Sequence, residues 1–126
     1  MNPHSLLIAL LAFQAKHFLC DFVLQSKWQI EAKKTYGDAG GIVHAGLHSL
    51  FTVPVLLILT KAPAYLIAIP VAEFVIHYHL DWAKMRIDMA TGWTQADQPY
   101  WMVFGLDQFL HQTTYLAIIA LFALAP

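Results

Sequence analysis

The sequence contains few charged residues and a single cysteine. Asp, Glu, Lys and Arg together make up 12% of the 126 residues, about half the share usual in soluble proteins, and the formal net charge is −1. This balance provides no basic surface for binding nucleic acid. The lone cysteine, Cys20, excludes an internal disulfide and is interpreted as a packing residue.

Apolar residues take the place of the missing charge. They make up 59% of the chain, more than the core of a soluble domain of this size can bury. Four stretches approach the roughly 20 apolar residues that a membrane-spanning helix requires. They lie at about 4–26, 42–60, 63–82 and 100–124, and the first has neither the basic region nor the cleavage site of a signal peptide. We therefore predict an all-α, integral membrane four-helix bundle, with one transmembrane domain over residues 1–126.

The distribution of basic residues predicts how the chain crosses the bilayer. The loops after the first and third stretches contain five of them, and the opposite side holds only Lys61. The five are Lys27, Lys33, Lys34, Lys84 and Arg86. The positive-inside rule makes these two long loops cytoplasmic and places both termini outside. All four tryptophans also map to the cytoplasmic side, where their rings suit the headgroup level.

Each predicted helix contains two histidine or aspartate residues four positions apart, a spacing that puts both on one helix face. The pairs are His17/Asp21, His44/His48, His77/Asp81 and Asp107/His111. Counting about 1.5 Å per residue from the predicted helix ends, all eight side chains fall within a slab about 15 Å deep below the cytoplasmic surface. Ionisable groups are costly in lipid, so we expect these side chains to face the bundle interior.

Imidazole and carboxylate groups are ligands of zinc, manganese and iron. The eight side chains therefore predict a site for one or two divalent transition metals, which would neutralise the carboxylates and acidify a bound water. The zincin spacing H-E-x-x-H does not occur, and Glu73 and His77 are one residue too far apart for the E-x-x-H motif of di-iron bundles. The pattern indicates a site without defining its reaction, and a structural network of His–Asp hydrogen bonds is the alternative.

Other polar residues extend the candidate site. Lys84 lies one turn beyond Asp81 and, with Lys27, could bind a phosphate or an anionic headgroup. Gln25 continues the stripe of the first helix. Glu73 is the deepest residue of its stripe, where it could act as a general base or as a hydrogen-bond partner of His77.

Four motifs follow one another along the chain. They are His17-Phe18-Leu19-Cys20-Asp21-Phe22-Val23-Leu24-Gln25, His44-x-x-x-His48, His77-x-x-x-Asp81-x-x-Lys84 and Asp107-Gln108-x-x-His111. Their order resembles a family of small bacterial and phage membrane proteins catalogued as a domain of unknown function, and the similarity covers nearly the whole chain. The resemblance implies a role for Gln108 beside the other motif residues, and it implies a bacterial inner membrane. A looser similarity is to bacterial inner-membrane proteins predicted to be metal-dependent hydrolases.

The function we favour is a metal-dependent hydrolase that acts at the cytoplasmic headgroup level, on a lipid-linked phosphoester or another phosphorylated small molecule. A carrier for metal ions or protons needs polar groups along a whole path, and residues 6–13 and 53–59 in the outer half are essentially apolar. Nearby carboxylates make a haem bundle less natural. A non-enzymatic scaffold or regulatory subunit with a structural His–Asp network is a further alternative. A homodimer would complete a thin four-helix core.

Overall fold

Helices form at all four apolar stretches, and a short additional helix follows the first. The structure, a computed structural model, describes residues 2–124. Helix α1 spans Pro3–Phe18 and continues into a π-helical turn at Leu19–Val23, followed by α2 (Lys27–Ala32), α3 (Ala39–Leu59), α4 (Pro63–Thr91) and α5 (Gln98–Ala123). The described residues form no strand, so the all-α prediction is confirmed. Residues 1, 125 and 126 of the predicted domain lie outside the described residues.

The four long helices form a bundle in the cyclic order α1, α3, α4, α5. Helix α1 packs against α3 and α5, and α4 packs against the same two helices from the other side. Only residues 60–62 separate α3 from α4, which makes these two helices antiparallel neighbours. Helix α2 lies against α3.

Within residues 2–124, three segments are long and apolar enough to cross a membrane. They are α1 with its π-helical turn, α3 and α4. Helix α5 is not among them, because Asp107, Gln108, His111 and Gln112 interrupt its apolar sequence. The fourth span, the cytoplasmic side of the loops and the outside position of the termini therefore stay predictions.

The apolar core occupies one half of the bundle, where α1 and α4 begin and α3 and α5 end. It consists of Ala9, Phe13, Val55, Leu56, Leu59, Ile69, Tyr115, Ile118 and Phe122. The rings of Phe13 and Tyr115 stack with their centroids 5.0 Å apart at the upper edge of this core. The other half of the interior is left to polar side chains.

Helix α4 is longer than predicted, because it continues to Thr91 instead of ending near residue 82. Lys84 and Asp88, four residues apart, form an ion pair of 2.6 Å along the extension. The helix ends at Gly92, whose φ of 67° is the left-handed conformation common at helix C-termini. Lys84 therefore lies on a helix and not on a flexible loop.

The first helix changes geometry before it ends. The backbone N–H of Leu24 donates to the carbonyl of Leu19 at 2.8 Å, a bond that spans five residues and defines a π-helical turn. Cys20 is buried in this turn, which agrees with its interpretation as a packing residue. The turn also contains Asp21, and such turns occur frequently at functional sites.

Helix α2 begins with a capping box and packs closely on α3. The Ser26 side chain caps the backbone N–H of Gln29, and the Gln29 side chain caps the backbone N–H of Ser26. Where α2 meets α3, a Cβ added to Gly40 would lie 2.5 Å from the Cβ of Ala32. The two helices can approach this closely only because position 40 has no side chain.

We expect Gly40→Ala to destabilise the protein by about 1–3 kcal/mol, because the added methyl group overpacks the contact between α2 and α3. Gly46→Ala is the matched control, since a Cβ at Gly46 meets open space. In the interior of the same helix, that change should stabilise by about 0.5–1 kcal/mol. Chemical unfolding in detergent measures both, and stability changes of the same sign would contradict the close contact.

Candidate metal centre

Polar side chains from all four long helices fill the half of the interior that the apolar core leaves free. The buried ones are Lys16, His17, His44, His48, Thr52, Glu73, His77, Asp107 and His111. Lys16, Thr52 and Glu73 form a lower layer next to the apolar core. The histidines and aspartates form a layer above it.

Four residues of the upper layer form the first group of candidate metal ligands: Asp21, His44, His48 and His77. Asp21 Oδ1 lies 3.0 Å from His48 Nε2 and 3.1 Å from His44 Nε2. The Nε2 atoms of His44 and His77 are 3.2 Å apart. A tetrahedral zinc ion with bonds of about 2.0–2.1 Å holds its ligand atoms about 3.3 Å from one another. The spacing of the first group therefore suits one divalent ion.

His77, Asp81 and His111 form the second group, so His77 belongs to both. Asp81 Oδ2 lies 3.3 Å from His77 Nε2 and 3.4 Å from His44 Nε2, while Oδ1 lies 3.8 Å from His111 Nε2. The Asp81 carboxylate thus presents one oxygen to each group. This arrangement is suited to bridging two neighbouring ions.

The protonation of His111 supports a cation in the second group. Its Nδ1 lies 2.8 Å from the backbone carbonyl of Asp107, which can only accept a hydrogen bond. In the neutral ring the proton is therefore on Nδ1, and Nε2 presents a lone pair. His111 Nε2 is buried without a hydrogen-bond partner among the described residues, and it faces the Asp81 carboxylate. Two electron-rich atoms facing each other fit a cation between them.

A chain of hydrogen bonds determines the protonation of His48 in the same way. Gln108 donates to Asp107 at 3.1 Å, so its amide oxygen accepts from His17 Nε2 at 2.9 Å. His17 Nδ1 then accepts from the Tyr115 hydroxyl at 3.3 Å, and this hydroxyl accepts from His48 Nδ1 at 3.4 Å. His48 Nε2 is left with a lone pair directed at Asp21, as a metal ligand requires.

Six of the eight predicted ligands lie in the two groups, and His17 and Asp107 lie outside both. His17 contacts Tyr115 and Gln108, while Asp107 accepts from Gln108. These two residues orient the rings of the ligand histidines. Tyr115 was not predicted, because a tyrosine within an apolar run gives no signal of its polar contacts.

The lower layer is a buried ion pair that the sequence pattern did not predict. Lys16 Nζ donates to the Glu73 carboxylate, to Thr52 Oγ1 at 2.7 Å and to the carbonyl of His48 at 3.0 Å. Thr52 donates to the second carboxylate oxygen of Glu73. Both oxygens are occupied and Glu73 belongs to neither ligand group. This geometry favours a structural role for Glu73 over the predicted role as a general base.

Above the cluster opens a cavity of about 510 Å³, which we call the vestibule. Its lining residues are Asp21, Phe22, Gln25, Ile30, Lys33, Asp81, Lys84, Met85, Phe104, Asp107 and Gln108. Three of the four predicted substrate-binding residues, Gln25, Lys84 and Gln108, are among them. Lys27 is exposed outside this lining, and Lys33 occupies the position expected for it, with Nζ 2.8 Å from Asp81 Oδ2.

These features define a class of protein: an all-α bundle with membrane-type helices and buried His/Asp groups that could hold a metal ion. The chain belongs to the DUF3307 family, described as a protein of unknown function, whose family model matches residues 6–125. The resemblance drawn from the four motifs is thereby confirmed. No curated protein and no solved structure matches the chain. The similarity to metal-dependent hydrolases finds no support in these comparisons.

Proposed function

We propose that the protein is a membrane-embedded metal-dependent hydrolase that cleaves a phosphoester at the headgroup level of the bilayer. The observation that supports this best is the juxtaposition of the two ligand groups with the vestibule. Three histidine nitrogens and a carboxylate oxygen have the mutual spacing of metal ligands, and they lie directly beneath an open cavity that contains two lysines.

The donor atoms restrict the choice of metal. Imidazole nitrogen and carboxylate oxygen favour zinc, manganese or iron(II), and the two groups offer places for one or two ions. A divalent ion held there would activate water and stabilise the charge that develops on a phosphoryl group.

The vestibule has the residues that a phosphorylated substrate needs. The side chains of Lys33 and Lys84 are 11% and 20% exposed, so their ammonium groups are only partly solvated and can pair with phosphate oxygens. Gln25 and Gln108 add amide groups for hydrogen bonds. Phe22 and Phe104 provide an apolar wall that suits the hydrocarbon part of a lipid-linked substrate. A soluble phosphorylated molecule would use the polar residues alone.

The proposal includes the predicted topology in a bacterial inner membrane. Helix α5 would be the fourth span, both termini would lie outside, and the vestibule would face the cytoplasm, because Lys27, Lys33 and Lys34 concentrate around it. A homodimer through an exposed apolar face also belongs to the proposal.

A structural His–Asp network is the second candidate function. His44 and His48 both lie within hydrogen-bond distance of Asp21, so protons instead of a metal could hold the group together in a scaffold or regulatory subunit. Two further alternatives fit less well. The Lys16–Glu73 pair and the apolar core lie across a transport path. The rings of His48 and His77 stack 3.8 Å apart and leave no space between them for a haem.

Hydrolysis by metal-loaded protein in detergent tests the proposal, with p-nitrophenyl phosphate and with phosphatidic acid in mixed micelles. We expect zinc, manganese or iron(II) to support turnover, and Asp21→Asn to lower kcat by about 100-fold or more, because it removes a ligand carboxylate. Lys34→Met is the matched control, since Lys34 pairs with Glu31 on the surface.

The outcomes separate the candidates. Folded, metal-loaded protein that leaves both substrates intact would overturn the hydrolase and retain the metal site. Folded protein that takes up no metal would favour the structural network.

A further inference from the structure

Lys33 occupies the place on Asp81 that a metal ion would take. Its Nζ lies 2.8 Å from Asp81 Oδ2, the same oxygen that faces the Nε2 atoms of His77 and His44 at 3.3 and 3.4 Å. The Lys33 side chain is only 11% exposed, so its ammonium group depends on this carboxylate for compensation. Its other contact is the amide oxygen of Gln25, at 3.5 Å.

A divalent ion bound by Asp81 would displace Lys33 from this position. The ion takes the lone pair and the charge of Oδ2, and two cations at that distance repel each other. Lys33 follows directly after α2, and its side chain already lines the vestibule. The released ammonium group therefore turns to whatever anion the vestibule holds.

The charge of the vestibule changes sign in the same step. Its lining contains three aspartates and two lysines, which give it a formal charge of −1. One divalent ion changes this charge to +1. Without the ion, the aspartates repel an anion and Lys33 is held by Asp81. With the ion, both obstacles are removed.

We propose that Lys33 is an anion ligand released by metal binding: occupation of Asp81 by a divalent ion frees Lys33 to bind, together with Lys84, a phosphate-type oxyanion in the vestibule. The inference rests on the proposed metal site, and it adds an order of binding in which the metal precedes the anion. Coupling between two ligands is reciprocal, so the anion also tightens the binding of the metal. The oxyanion could be free phosphate or the headgroup of a lipid phosphate.

Isothermal titration of detergent-solubilised protein with inorganic phosphate, with and without Mn²⁺, tests the inference. We expect Mn²⁺ to tighten phosphate binding by about 10-fold or more. Lys33→Met should abolish this gain and at the same time tighten the binding of Mn²⁺ itself, because the competing cation is gone. Lys27→Met, which removes an exposed lysine outside the vestibule, should behave like the parent protein.

A second titration with dihexanoyl phosphatidic acid distinguishes the two sources of the oxyanion. Tighter binding of this lipid than of phosphate identifies a headgroup, and equal binding identifies free phosphate as sufficient. If Mn²⁺ binds but the affinity for both anions is independent of it, the role of Lys33 is overturned and the metal site stands. If Lys33→Met weakens Mn²⁺ binding, Lys33 only supports the structure and the inference fails. If the parent protein binds no Mn²⁺, the proposed function fails first.

Discussion

Replacing His77 by alanine is expected to abolish metal binding, with a loss of affinity of more than about 100-fold. His77 is the residue shared by both ligand groups, so the substitution removes a nitrogen ligand from each. Loss of a residue that merely orients a ligand already lowers metal affinity by about 10–100-fold, and a shared ligand should exceed this. Metal content after dialysis, measured by mass spectrometry on folded protein, gives the result directly.

Two variants keep this experiment specific. His79→Ala removes the same type of side chain from the outer face of the same helix, where His79 contacts Tyr36 at 3.0 Å. Asp107→Asn preserves the shape of a buried side chain outside both ligand groups. Both should retain the metal of the parent protein to within a few-fold. Full metal content in the His77 variant, or its loss in the His79 variant, would contradict the assignment.

The second large effect is expected on stability. Lys16→Met should lower the free energy of unfolding by about 3–5 kcal/mol, because it leaves the Glu73 carboxylate as an uncompensated buried charge. Lys16 and Glu73 are 4% and 2% exposed, so water cannot replace the lost partner. Glu73→Gln should cost a similar amount, since it leaves the ammonium group of Lys16 unpaired. Chemical unfolding in detergent measures both variants.

The double variant Lys16→Met/Glu73→Gln shows whether the two charges act as a pair. It should be more stable than the sum of the single effects predicts, because neither charge is then buried alone. The same variants also test the role of Glu73. As a structural partner, Glu73→Gln lowers stability and leaves metal content unchanged. A stable Glu73→Gln variant with metal but without hydrolysis would restore the general base, and additive effects on stability would dissolve the pair.

The sequence predicted the long helices because their signal is local. Apolar length identified all four, and the spacing of the histidines and aspartates correctly indicated one level within the bundle. Apolar length also explains the error in α4, since its polar last turns are supported by the Lys84–Asp88 pair and not by lipid. The beginning of α2 was readable in Ser26 and Gln29, whose spacing is that of a capping box.

The partners within the site could not be predicted in the same way. Pairing Lys16 with Glu73 requires the rotation of α1 relative to α4, which neither helix encodes alone. The exclusion of His17 from the ligand groups depends on Tyr115 and Gln108, which come from α5. Lys27 and Lys33 carry the same charge six residues apart, and only the path of α2 distinguishes which of them reaches the vestibule.

The π-helical turn makes the length of the chain a requirement in its own right. Three of its five side chains, Leu19, Phe22 and Val23, are exposed, so many substitutions there should be harmless. Deleting a single residue is different, because a regular α-helix would replace the turn and rotate everything after it by about 100°. Gln25 and the whole of α2 would then leave the cluster. This segment tolerates a change of letter but not a change of count.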